Sequence, residues 1–127
     1  MKLRLQFNSI RLRLKRSEVD RFIRTGRVEE RIMSGIGDQE SFHYLLEAND
    51  SVSAPKGSIA PNRVVVQVPI AAALKWALTN QIGIEGEQAV DSKTSLRILI
   101  EKDFACIDGT EEQNADTFAN PLAGQKC

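Results

Sequence analysis

Basic side chains are concentrated at the start of the chain, where their spacing could bind an anion. Residues 1–31 carry ten basic and four acidic side chains, a net charge of +6, and residues 101–127 carry two basic and six acidic ones, a net charge of −4. Arginine and lysine are the usual partners of nucleic-acid phosphates. The candidate anion or nucleic-acid contacts are Lys2, Arg4, Arg11, Arg13, Lys15, Arg16, Arg21, Arg24 and Arg27.

The first of these basic residues belong to a predicted hairpin with a two-residue turn at Asn8-Ser9. That turn places Arg4 opposite Arg13 and Lys2 opposite Lys15, and like charges directly opposite each other destabilise a strand pair. Three explanations stay open: solvation of the long side chains, neutralisation by a nucleic acid, or neutralisation by acidic residues of the chain's own tail. The tail candidates are Asp108, Glu111, Glu112 and Asp116.

Residues that could support catalysis or bind a metal are few. His43 alternates with Phe42 and Tyr44, which indicates a surface position. Cys106 and Cys127 would need further ligands to hold a metal ion. We therefore predict no catalytic residue, no cofactor and no metal site, and we expect that the protein is not an enzyme.

Length and composition fit one soluble domain. The chain has 127 residues, of which 42% are hydrophobic and 27% charged, and its formal net charge is zero. The N-terminal residues alternate and carry charge, so they do not resemble a signal peptide, and no apolar run is long enough to cross a bilayer. We expect a cytoplasmic protein without membrane contact. The zero net charge weighs against nucleic acid as the partner.

An internal repeat with an offset of 54 positions organises the predicted elements. It places Ile10, Leu12 and Leu14 on Val64, Val66 and Val68, and it places Phe22 on Trp76 and Val28 on Ile82. Each unit is predicted as two strands, a short helix and two further strands. The fold class is therefore α+β, mostly β, with two tandem ββαββ repeats that form one pseudo-two-fold β-barrel over residues 1–103.

The repeats span residues 1–50 and 51–103, and residues 104–127 form an acidic tail that docks on the barrel or extends from it. Phe104, Ile107 and Phe118 are the tail's expected anchors. The predicted core is Leu3, Leu5, Phe7, Ile10, Leu12, Leu14, Phe22, Val28, Phe42, Tyr44, Leu46, Val64, Val66, Val68, Trp76, Ile82, Leu96, Ile98 and Ile100.

Two resemblances add to this reading. The segments 62–69, 82–87 and 96–102, a strand that ends in Val-Pro followed by two further strands, resemble the AbrB-like swapped-hairpin superfamily. That resemblance implies an interleaved barrel and, in many members, DNA binding or an antitoxin role. The whole chain is also similar to a family of short uncharacterised bacterial proteins, through Asn8–Leu14, Glu101–Cys106 and Asn120-Pro121.

The function expected from these patterns is a small binding module with an unknown protein partner. The alternative is an AbrB-like DNA-binding regulator or antitoxin that uses the basic hairpin. We expect a monomer that contains an internal pseudo-dimer, or a weak homodimer.

Overall fold

The computed structural model describes residues 1–104 and 115–119. Within them the chain forms eight strands, two α-helices and a short 3₁₀ turn at Asp38–Glu40, so the predicted mostly-β α+β class is confirmed. In chain order the elements are β1 (Lys2–Gln6), β2 (Ser9–Leu14), α1 (Arg16–Thr25), β3 (Arg27–Met33), β4 (Ser41–Ala48), β5 (Lys56–Ala60), β6 (Arg63–Val68), α2 (Ile70–Leu78), β7 (Gly83–Ala89) and β8 (Ser95–Lys102).

The strands make two four-stranded sheets, and each sheet combines strands from both halves of the chain. The first sheet has the order β1-β2-β8-β7, and the second has the order β3-β4-β6-β5. The central pairs, β2 with β8 and β4 with β6, are parallel, while every outer pair is antiparallel. Parallel neighbours need long crossover connections, which the intervening elements supply.

The predicted closed barrel is wrong, because neither sheet pairs its edge strands with the other. Between β5 and β7 a side chain takes the place of a backbone ladder. The amide of Gln88 accepts from the Gly57 N–H at 2.9 Å and donates to the Gly57 carbonyl at 3.2 Å. Near β1 and β3, the Met1 ammonium contacts the Glu18 and Glu30 carboxylates, and the Tyr44 hydroxyl donates to the Met1 carbonyl.

The buried Glu18 carboxylate sits where α1 begins. Burial would raise its pKa, but hydrogen bonds from the Met1 ammonium and the Lys15 N–H outweigh this effect, so the net pKa is lowered. The charged form is thus held in place by the groups around it. The start of β1 is thereby tied to the first turn of α1.

The core fills the space between the sheets and beneath the helices. Phe22 of α1 and Trp76 of α2 are both buried and meet edge to face, with ring centroids 6.4 Å apart. The Trp76 indole N–H donates to the Ile82 carbonyl at 3.0 Å, so its polar atom is satisfied. Gly26 ends α1 with φ of 78°, a conformation that glycine adopts without steric cost.

Several expected core residues lie elsewhere. The hairpin turn falls at Phe7-Asn8 rather than Asn8-Ser9, because Asn8 takes the left-handed conformation with φ of 50°. Phe7 therefore projects from the tip and is 98% exposed, and Leu5, on an edge strand, is 52% exposed.

The second half differs in a similar way. The offset of 54 predicted that Ile82 would match Val28. In the structure Val28 faces Leu46, and Ile84 rather than Ile82 faces Ile100. The longer connection after α2 leaves Ile82 outside the core and 49% exposed. Val19, Ala73 and Ile84 are buried, although they were not in the predicted core.

Ile10 and Leu5 face each other across the first hairpin. Substitutions at these two positions test whether Leu5 lies at an exposed sheet edge while Ile10 lies in the core. Ile10 is 1% exposed, so Ile10→Ala should lower the free energy of unfolding by about 2–5 kcal/mol. Leu5→Ala should cost less than about 1 kcal/mol, because half of the Leu5 surface already faces water. Urea unfolding of the two variants measures both values, and equal losses would contradict the placement of Leu5 at an open edge.

Candidate anion and peptide interface

The outer face of the first sheet gathers the basic residues of the hairpin. Ile10, Leu12 and Leu14 point into the core, so the alternate residues of β2 point outward. The observed register sets Arg4 opposite Arg11 and Lys2 opposite Arg13, one step away from the predicted pairing. The four cations still share one face, and like charges still lie opposite each other.

Glu101 on β8 neutralises the centre of this face. Its Oε1 accepts from Arg11 Nε at 2.7 Å and from Arg13 Nε at 3.0 Å, and the Glu101 side chain is only 14% exposed. Lys2 lies 3.2 Å from the Asp103 carboxylate. The neutralising carboxylates therefore come from β8 and the residue after it. Of the expected tail partners, Asp108, Glu111 and Glu112 lie outside the described residues.

A groove of about 470 Å³ lies on the same face, and Arg11 is part of its lining. Among the residues that the structure describes, the side chains of Arg4 and Arg97 line this groove and form no ion pair. The far wall is acidic: it carries Glu85 and Glu87 of β7, and Glu87 accepts from the Ser95 hydroxyl at 2.6 Å. The groove thus has a basic side and an acidic side.

The other candidate cations lie away from the groove, on and around α1. Arg24 pairs with Asp20 at 3.6 Å, and Arg27 pairs with Glu29 at 2.5 Å. Arg21 is exposed on α1, and Lys15 precedes the helix. The guanidinium of Arg16 lies 5.2 Å from the centre of the Phe118 ring. The structure therefore divides the nine predicted contacts between two surfaces.

The described part of the tail contacts the start of α1 instead of the hairpin. The Asp116 carboxylate accepts from the Ser17 N–H at 3.0 Å and from the Ser17 hydroxyl, and the Ser17 contact lowers the pKa of Asp116. Phe118 packs against the core, meets the Phe104 ring at 6.2 Å, and lies over the Lys102 ammonium at 5.2 Å. An anionic group at a helix N-terminus also complements the helix dipole. Ile107 lies outside the described residues.

Ser41, His43 and Glu29 form a second polar cluster on the outer face of the second sheet, which was not predicted from the sequence. His43 Nδ1 lies 3.1 Å from Glu29 Oε1, and His43 Nε2 lies 3.3 Å from Ser41 Oγ. The order is that of a nucleophile, a base and an acid, but the Ser41 hydroxyl donates its proton to the Asp38 carbonyl at 2.9 Å. The Ser41 hydroxyl is thus not directed at Nε2 as a nucleophile–base pair requires. The alternation of Ser41 and His43 on one strand was the signal that could have found this cluster.

The cluster has an electrostatic consequence for Glu29. The hydrogen bond from His43 is the largest cause that lowers the pKa of Glu29, and Arg27 adds to it. The arrangement stabilises an ion-paired sheet surface.

In the described residues no group of three or more His, Cys, Asp or Glu side chains is placed to hold a metal ion. Neither of the described α-helices has the length and apolar character needed to cross a membrane.

Replacing Glu101 should expose the basic character of the first sheet. In Glu101→Gln, Arg11 and Arg13 lose their shared carboxylate, so the variant should leave a heparin column at higher salt than the wild type. In duplex DNA titrations the log–log salt dependence should steepen by about 2, as two more cations reach phosphate.

Glu47→Gln is the matched control, because Glu47 occupies the same face position on β4 of the second sheet. Both variants change the net charge equally. An equal rise in elution salt for both would show that net charge alone, and not Glu101, governs anion binding.

Comparison with known proteins gives a family but no activity. The sequence model of a family described as of unknown function, DUF7009, matches residues 1–122. No curated protein and no solved structure matches the chain. Since the matched segment covers nearly the whole sequence, the chain belongs to this family of unknown function, DUF7009.

Proposed function

We propose that this chain is a non-catalytic binding module that takes an extended segment of a partner protein in the groove on the first sheet. The observation that carries the proposal is the division of charge across the groove. Arg4 and Arg97, which form no ion pair within residues 1–104 and 115–119, lie on one part, and Glu85 and Glu87 lie on the other. A polypeptide can present acidic and basic side chains together, and such complementarity selects partners and their orientation.

The same charges disfavour duplex DNA. A phosphate backbone is uniformly negative, so Glu85 and Glu87 would repel it along one whole wall of the groove. Arg11 and Arg13 are already bound to Glu101, and a phosphate would have to displace that carboxylate. DNA binding by an AbrB-like regulator is the competing function, and Arg4 and Arg97 of the groove are what favour it.

The proposal includes an internal repeat of the two ββαββ units. Strand pairing supports it: Ile10 pairs with Ile98 in the first sheet, and the positions 54 residues away, Val64 and Tyr44, pair in the second. The outer strands agree as well, because Leu5 faces Ile10 and Ile59 faces Val64.

Under this repeat, the second sheet does not reproduce the charge pattern of the groove, since the positions 54 residues before Glu85 and Glu87 hold Arg31 and Met33. The positions 54 residues after Arg4 and Arg11 of the groove hold Ser58 and Val65, and the position after Arg13 beside them holds Gln67. The core positions of the two units are apolar in both, so the outer face is where the units have diverged. We infer that the first sheet, and not the second, carries the binding function.

Charge reversal in the groove tests the proposal. Immobilised wild-type protein should retain a partner from a lysate of the source organism, and Arg4→Glu combined with Arg97→Glu should lose at least about nine-tenths of it, a cost of about 1.4 kcal/mol or more. Arg21→Glu combined with Arg63→Glu is the control, because it makes the same charge change at exposed positions of α1 and β6.

The same variants distinguish protein from DNA as the ligand. The wild type should bind duplex DNA only weakly at about 0.1 M salt, within the non-specific range of about 10⁻⁴–10⁻⁶ M or weaker. Tight DNA binding that the groove variant abolishes would replace the protein partner with nucleic acid. Equal loss of the protein partner in the groove and control variants would overturn the groove as the site.

A further inference from the structure

Four residues of the groove lie side by side in a row that crosses the whole first sheet. Arg4 of β1 is opposite Arg11 of β2, Arg11 is opposite Leu99 of β8, and Leu99 is opposite Glu85 of β7. Directly opposed residues share one face of a sheet, and all four line the groove on its outer face. The row therefore begins with a cation at one sheet edge and ends with an anion at the other.

Only the two ends of this row present a charge that is not already neutralised. Within residues 1–104 and 115–119, Arg4 and Glu85 form no ion pair and no side-chain hydrogen bond. In the middle, Arg11 Nε donates to Glu101 Oε1 at 2.7 Å, so the charge of Arg11 is balanced. Leu99 is half-buried and adds apolar surface beside it. A ligand along the row thus meets a cation, a neutral centre and an anion.

A second row repeats this polarity. Gln6, Ser9, Arg97 and Glu87 lie opposite each other in the same strand order. Glu87 accepts from the Ser95 hydroxyl at 2.6 Å, and the part of the chain that the structure describes shows no ion pair between Glu87 and Arg97. The β7 edge is consequently the negative side of the groove in both rows.

The width of the sheet sets the spacing of the charges that a ligand must carry. Neighbouring strands lie about 4.8 Å apart, so the three intervals from Arg4 to Glu85 span about 14 Å. An extended polypeptide advances about 3.3 Å per residue, and its alternate side chains point the same way. Two residues four positions apart are therefore about 13 Å apart and face the groove together.

We infer that the segment bound in this groove carries an acidic and a basic residue four positions apart, with an apolar residue midway between them. The acidic residue contacts Arg4, the basic residue contacts Glu85, and the apolar residue lies against Leu99. Both orders of charge fit, because the segment can cross the sheet in either direction. The inference rests on the proposed function, in which the partner segment is extended, and it adds the chemistry of that segment.

Like charges at both ends of a segment would not satisfy the row. A diacidic segment would place one carboxylate against Glu85, and a dibasic segment would place one cation against Arg4. Charges on adjacent residues would point to opposite faces of the segment, so only one of them could reach the groove. The spacing and the opposition of sign are thus both needed.

Fluorescence anisotropy of the full chain with labelled synthetic peptides tests the inference. The mixed peptide has the central sequence Asp-Ser-Leu-Ser-Lys, its isomer has Asp-Lys-Leu-Ser-Ser, and the diacidic peptide has Asp-Ser-Leu-Ser-Asp. The wild type should bind the mixed peptide at least about threefold more tightly than either of the others, an effect of the size that one or two exposed ion pairs produce.

Glu85→Lys should reverse the preference, because it makes both ends of the row cationic. This variant should bind the diacidic peptide at least about threefold more tightly than the mixed one. Glu47→Lys is the matched control, since it makes the same charge change on the outer face of the second sheet. It should keep the order of affinities of the wild type.

Equal affinity of the wild type for the mixed peptide and its isomer would overturn the inference, and so would a Glu85→Lys variant that still prefers the mixed peptide. The proposed function would stand in both cases if Arg4→Glu combined with Arg97→Glu still loses the lysate partner. Retention of that partner by the Arg4 and Arg97 variant would overturn the site and the inference together.

Discussion

The parallel pairing of β2 with β8 and of β4 with β6 is the constraint on which the rest of this structure depends. Residues 1–50 contribute two strands to each sheet, and so do residues 51–103. Each half of the chain therefore lacks a sheet of its own and completes its strand pairing only with the other half. The hydrogen bonds at the centre of each sheet join residues far apart in sequence, which ties the formation of both sheets to one event.

This interlocking also explains where the helices lie. Each helix links a strand of one sheet to a strand of the other, since α1 follows β2 and precedes β3, and α2 follows β6 and precedes β7. The two crossings bring Phe22 and Trp76 together over the core. The inner faces and the helix contacts are fixed by packing, whereas the outer faces are free to carry different charges. The groove on the first sheet lies on such a free surface.

The sequence was informative where local pattern determines structure. The alternation of Ile10, Leu12 and Leu14 predicted the strand and its buried face, and Gly26 predicted the end of α1. Periodicity gives the face on which a side chain lies but not how well that face is covered. Leu5 and Phe7 keep the alternation and are nevertheless exposed, because they belong to an edge strand and a turn. The prediction of a closed barrel was wrong for the same reason, because pairing between the edge strands of two sheets depends on how the sheets are placed relative to each other.

The candidate site was less accessible from sequence. The basic residues of the hairpin were identified from composition, but their neutralisation by Glu101 depends on a parallel strand that starts more than 80 residues later. The acidic wall of the groove likewise comes from β7, whose place at the sheet edge is set by long-range pairing. The Ser41, His43 and Glu29 cluster needed the register between β3 and β4, which brings Glu29 close to the outward residues of β4.

Equilibrium unfolding in guanidinium tests the interlocking most directly. Trp76, the one tryptophan of the chain, reports on the second half by its fluorescence, and far-UV circular dichroism reports on both sheets. We predict one coincident transition, and we predict that Leu12→Ala in the first half and Val66→Ala in the second move both signals together to lower denaturant. A transition in which Leu12→Ala shifts the circular dichroism signal but leaves the Trp76 signal in place would contradict the account.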